Sequence, residues 1–196
     1  ELPELEQFML HKLYSLDVNF KKYFKIYDFH NLYKEILNFC TVDLSAFYFD
    51  IRKDALYCDS IDSKKRKSTI LLLNIILNSL LKWFAPILSF TTEEIYRLLF
   101  KDNKSIHLEK FIDFPNTFAN EKLYQKWLEL IKIRNICNIS IEEKRANKEI
   151  GSSLEADLNI QLDQKLEEIT KNIDFSELCI TSKAEISFKE NLETSA

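Results

Sequence analysis

Apolar side chains recur through the first hundred residues at three- and four-residue steps, the repeat of helices that turn one face inward. Leu5, Phe8/Met9, Leu13, Leu16, Phe20 and Tyr23/Phe24 predict a first helix over about 4–25. Pro3 suits its first turn, and Lys12, Lys21, Lys22 and Lys25 fall mostly off the stripe. Ile26-Tyr27 leaves room only for a tight connection, so the next helix should pack antiparallel to the first. That second helix is the longest pattern in the chain. Phe29, Leu32/Tyr33, Ile36/Leu37, Phe39/Cys40, Leu44, Phe47, Ile51 and Leu56 carry one stripe over 28–57, with Asp28 placed to cap it. At 1.5 Å per residue such a rod spans roughly 45 Å and requires partner helices.

Ser63 is an N-cap candidate for a third helix opening at Lys64-Lys65-Arg66-Lys67 and continuing through Ile70–Leu81, apolar nearly all round. The pattern predicts this as the central, most buried rod, ended by Pro86. Thr91 and Glu94 have capping-box spacing and predict a short fourth helix over about 92–100. Four antiparallel helices then form a bundle, with 101–119 read as a connection laid over its surface. A fifth helix is expected over 121–147, with Gly151 supplying its C-terminal turn.

Beyond Gly151 the period changes. Leu154, Ala156, Leu158, Ile160 and Leu162 alternate with polar residues, the two-residue period of a half-buried strand. A short helix over 163–173, a second strand over 177–181 and a third over 184–188 complete a small α+β unit. The organisation expected is a helical bundle with its connection over 1–119, a long helix over 120–150, an α+β subdomain over 151–190 and a frayed tail over 191–196. The fold class is mainly α, an antiparallel helical bundle followed by a small α+β unit.

Composition removes more function classes than it adds. Hydrophobic residues make up 46% and charged residues 30% of the 196, as in ordinary globular proteins. No apolar run reaches the ~18 residues of a membrane span. The chain begins at Glu1, holds its only methionine at Met9, and reads as a piece of a longer protein. Its single glycine, Gly151, leaves no material for phosphate-cradling loops, dinucleotide fingerprints or nucleophile elbows. Cys40, Cys58, Cys137 and Cys179 are scattered without zinc-ligand spacing, and reduced thiols in the cytoplasm are the expectation. No catalytic set and no metal site can be nominated; His11, His30 and His107 each stand alone.

Net charge is −4, yet cations outnumber acids between 60 and 110, and acids dominate after 151. A nucleic-acid contact therefore belongs on the helical part. Tyr48, Arg52, Lys53 and Tyr57 fall on the more polar side of the second helix. Lys64, Lys65, Arg66 and Lys67 begin just past its end. Rings that stack unpaired bases beside cations that meet phosphates are what single-stranded RNA loops require. The plainer reading of the cationic first turn is a solvated helix end that opposes the dipole, and the sharper one is a phosphate contact. A helical protein–protein interaction module is the alternative function, marked by an exposed apolar patch.

Three ordered segments carry a resemblance. Residues 27–57 (YDFHNLYKEILNFCTVDLSAFYFDIRKDALY), 85–95 (APILSFTTEEI) and 150–156 (IGSSLEA) resemble the anticodon-binding region of bacterial class I isoleucyl-tRNA synthetases, over about 5–160. The resemblance implies a bundle that packs on the anticodon stem-loop of isoleucine tRNA, with the remaining domains of the same synthetase as its other partner. It implies ATP and Mg in a catalytic domain that this chain lacks, and no cofactor here. Many members also end in a cysteine-rich zinc module; no such cluster occurs in this sequence.

Overall fold

The computed structural model describes residues 2–100 and 104–189. Helix α1 (Glu4–Lys25) starts after Pro3, with Glu4 and Glu6 in its first turn and Lys22 and Lys25 in its last, both matching the helix dipole. Its inward side is closed to solvent from Leu5 to Phe20. Tyr27 ends it in the left-handed conformation (φ 60°), where the Asp28 N–H reaches back to the Tyr23 carbonyl at 3.0 Å.

The predicted rod is present without a break but is not uniform. It comprises α2 (Phe29–Asn38), a π-helical stretch (Phe39–Phe49) and α3 (Asp50–Tyr57). Asp28 caps it as expected, accepting the Asn31 N–H at 3.2 Å. The wider π turn takes about one more residue than an α turn. It shows in the five-residue gap between the buried side chains of Phe39 and Leu44.

Helix α4 (Lys64–Phe84) begins at Ser63, whose hydroxyl accepts the Arg66 N–H. Contrary to expectation it is not the most buried helix; α1 is. Ile70, Leu71 and Leu77 of α4 face solvent, while Ser68, Thr69 and Ser79 turn inward. Thr69 and Ser79 bond carbonyls one turn back, at 2.9 and 2.7 Å, so small satisfied hydroxyls can line a close helix contact. Hydropathy alone reads that side as polar.

Helix α5 (Ser89–Phe100) starts three residues earlier than the capping-box spacing predicts. Thr91 lies inside its first turn. Glu93 instead reaches across to the Ser105 hydroxyl and the Ile106 N–H, both at 2.9 Å. That clasp seats Ile106 against Leu81, Ala85 and Tyr96. Farther along the connection Phe111 packs edge-on to Phe20 and Phe24, with centroids 5.0 and 5.1 Å away, and Phe114 lies 6.4 Å from Trp83. The connection lends Ile106 to the core and lays the half-buried Phe111 and Phe114 against it. His11 and His107 serve packing: His11 Nδ1 accepts the Asn120 N–H, and His107 Nε2 lies 3.2 Å from the Ser89 carbonyl.

The chain divides after Glu121 into two compact units. The second holds α6 (Glu121–Ala146), beyond its first residue, then β1 (Asp157–Asp163), α7 (Glu167–Thr170), α8 (Phe175–Cys179) and β2 (Lys183–Lys189). The two strands pair in parallel, with Ile160 opposite Ile186. Three expectations are corrected here. Helix α6 is ended by Lys148 in the left-handed conformation (φ 60°), with the Glu149 N–H on the Lys144 carbonyl; Gly151 has ordinary torsions. The predicted strand over 177–181 is largely helical, because Asp174 caps the N–H groups of Ser176 and Glu177. Leu154 precedes the sheet in a short 3-10 turn and is exposed. The tail expected over 191–196 lies outside the described residues.

Candidate nucleic-acid interface

The eight residues nominated from sequence separate into an inward and an outward group. Tyr48 and Arg52 face inward, which corrects the expectation that they lie on the polar side of the rod. Each is less than 5% exposed, and both meet Glu6 of α1, which is wholly buried. Arg52 Nε and Nη2 donate to the two carboxylate oxygens of Glu6 at 2.7 and 2.9 Å. Tyr48 donates to Oε1 at 3.0 Å, and Thr69 of α4 lies 3.4 Å from the same oxygen. Burial beside this carboxylate pushes the Tyr48 phenol up, so it stays neutral and remains a donor. An arginine can be this deep because its charge is matched by a bidentate partner. Neither Glu6 nor Thr69 was nominated from sequence.

Lys53 and Tyr57, one turn apart on α3, face outward. Tyr57 is 86% exposed, among the most open aromatic side chains described. Lys53 Nζ lies 3.1 Å from Asp50 Oδ1, a solvated pair of small worth. They continue an exposed i+4 row that runs down the rod through Thr41, Ser45 and Phe49.

The cationic turn of α4 begins seven residues after Tyr57, at the same end of the α3–α4 hairpin. Its members do different jobs. Arg66 Nη1 donates to the Asp59 carbonyl at 2.7 Å and Ser63 donates to the Asp59 carboxylate, so Arg66 clasps the connection. Lys67 pairs with the exposed Asp62 at 2.7 Å. Lys65 is half-buried and supplies the carbonyl that Thr69 bonds, whereas Lys64 is exposed. Acids in the connection thus offset part of the clash between four cations and the helix dipole.

Thiol chemistry does not converge on this surface. Cys58 is exposed and Cys40 half-buried, while Cys137 and Cys179 are buried in the second unit and hydrogen-bonded to each other. That contact, and then burial, push the Cys179 thiol up. Among the described residues no group of three or more His, Cys, Asp or Glu side chains is placed to hold a metal ion. No helix there is long and apolar enough to cross a membrane.

The sequence that builds this bundle matches a known class. Residues 6–162 match the family described as the anticodon-binding domain of tRNA ligase, and the chain belongs to that family. Its relatives narrow the class. The isoleucine–tRNA ligase of Pelagibacter ubique is 71% identical over 184 residues, 94% of this chain and 20% of the relative. Those of Bartonella henselae and Agrobacterium fabrum are each 40% identical, over 92% and 93% of this chain. The chain spans about a fifth of the length of these relatives.

Proposed function

We propose that this chain recognises the anticodon stem-loop of isoleucine tRNA on behalf of an isoleucine–tRNA ligase. The observation that carries the reading is the outward placement of Lys53 and Tyr57 beside the exposed Lys64 and Lys67, in a chain of the anticodon-binding family. Tyr57 offers a ring to an unpaired base, an interaction worth ~1–3 kcal/mol. Lys53, Lys64 and Lys67 neutralise loop or stem phosphates, and their present partners Asp50 and Asp62 are exposed enough to yield them. Arg66 and Lys65 support the turn that presents those lysines. Tyr48 and Arg52 act from behind the surface.

The chain itself carries no reaction in this reading. Isoleucine activation with ATP and Mg, and transfer to the tRNA, belong to the rest of the ligase in the cytoplasm. Those remaining domains are the second partner. Phe90, Ile95, Leu98 and Leu99 leave much of the surface of α5 apolar and exposed, an area that another domain would cover. The test is a titration of isoleucine tRNA anticodon stem-loop against one for another amino acid, at several salt concentrations. Selective, salt-dependent binding supports the reading, and equal affinity for both RNAs rejects it.

A further inference from the structure

Buried ion pairs are poor devices for stability alone. Each ion loses several kcal/mol of hydration, and well-packed apolar replacements are often as stable or more so. Glu6 and Arg52 must therefore be considered for what they fix. Two parallel N–H···O bonds set the plane of the guanidinium as well as its distance. Tyr48, one turn before Arg52, is tied to the same carboxylate, so two anchors on one side of the rod define its rotation about its own axis. The anchors come where continuity of the helix defines that rotation least, at the end of the π stretch and just beyond it. Lys53 and Tyr57 follow immediately and face solvent.

We propose that the Glu6–Arg52 pair is a positioning device that sets the rotation of α3 and thereby holds Lys53 and Tyr57 outward for RNA. Its rotational part stands on the cluster geometry, and its RNA part rests on the anticodon reading above. Glu6 and Arg52 are positioning residues, since neither reaches the surface. A lysine at position 52 would keep the charge but, as a single point donor, would leave the angle free. Met at positions 6 and 52 with Phe at 48 would keep the volume and remove the angular constraint.

The experiment uses chain labelled with 3-fluorotyrosine, the Tyr57 resonance being assigned with Tyr57→Phe. Arg52→Lys and the E6M/Y48F/R52M triple variant are compared with the native chain, and Lys53→Ala serves as the RNA control. In both variants the Tyr57 line is expected to shift or double while thermal unfolding stays cooperative. Affinity for the anticodon stem-loop RNA is expected to fall about fivefold in each. An unmoved Tyr57 line in the folded variants overturns the proposal. Loss of cooperative unfolding in both variants also overturns it, by making the cluster a stability element. If the line moves but Lys53→Ala binds RNA like the native chain, the rotational setting is upheld and the anticodon reading fails.

Discussion

Arg52 closes a bidentate pair on Glu6 across 46 positions of sequence, with side chains only 5% and 0% exposed. Removing one partner strands a charge in the interior. Glu6→Ala is expected to cost about 3–5 kcal/mol, a large part of the stability of a small domain. Urea denaturation would check it, and a loss below 1 kcal/mol would show the pair to be open to water.

Tyr48 makes a pH prediction with a definite sign. Its folded-state pKa is raised by burial, so the folded chain holds the phenolic proton more tightly than the unfolded chain. That contribution is fully present below the ordinary tyrosine range near 10 and is lost as pH rises above it. Tyr48→Phe should cost about 1–2 kcal/mol near neutrality, because Glu6 loses a donor. It should also flatten the fall in stability as pH rises above about 10. Denaturation midpoints for the two chains across that range provide the check; parallel curves would remove Tyr48 as the source.

Lysines and aromatics at the surface should separate in their salt dependence. Lys64→Ala with Lys67→Ala is expected to lower the slope of log affinity against log salt by roughly 0.7–0.9 for each phosphate that is no longer neutralised. Tyr57→Ala should weaken binding by ~1–3 kcal/mol with the slope unchanged. Arg66→Ala is expected to show chiefly in thermal stability, since it clasps the Asp59 carbonyl. Anisotropy titrations with the isoleucine anticodon stem-loop, beside melting curves, would distinguish the three.

Lys148 holds a left-handed conformation that costs a side-chain-bearing residue about 1–2 kcal/mol. Lys148→Gly removes that strain and forfeits part of it to the freer unfolded chain. A net gain of about 0.5–1 kcal/mol is expected by calorimetry, and a loss would mean that the lysine side chain holds the end of α6 in place.

Much of the bundle was legible because its signals are local. The stripe of α1, the cap at Asp28, the cap at Ser63 and the length of the rod all follow from spacing and side-chain chemistry. What escaped is non-local. Arg52 reads as surface until a buried acid is found for it, and Glu6 reads as a first-turn acid suited to the dipole. A signal was present, since Glu6 heads the row that continues through Met9, Leu10 and Leu13, all buried. In the second unit, Phe175–Cys179 is too short for any period to register, and only Asp174 announced a helix. Gly151 drew the helix end to itself because glycine is the usual left-handed residue, yet Lys148 took that place. The outward group of the site was readable as chemistry, but which aromatics and cations face out depended on partners far away in sequence.

The π stretch makes the rod's length and its rotation one variable. An α-helix turns about 100° per residue and the wider π turn somewhat less, so shortening Phe39–Phe49 by a single exposed residue would swing everything after it by close to a quarter circle. Arg52 would be carried off Glu6, and Lys53 and Tyr57 would be aimed elsewhere. Evolution of this segment is therefore free to exchange side chains such as Val42, Ser45 or Ala46, but an insertion or deletion there reaches the far end at once.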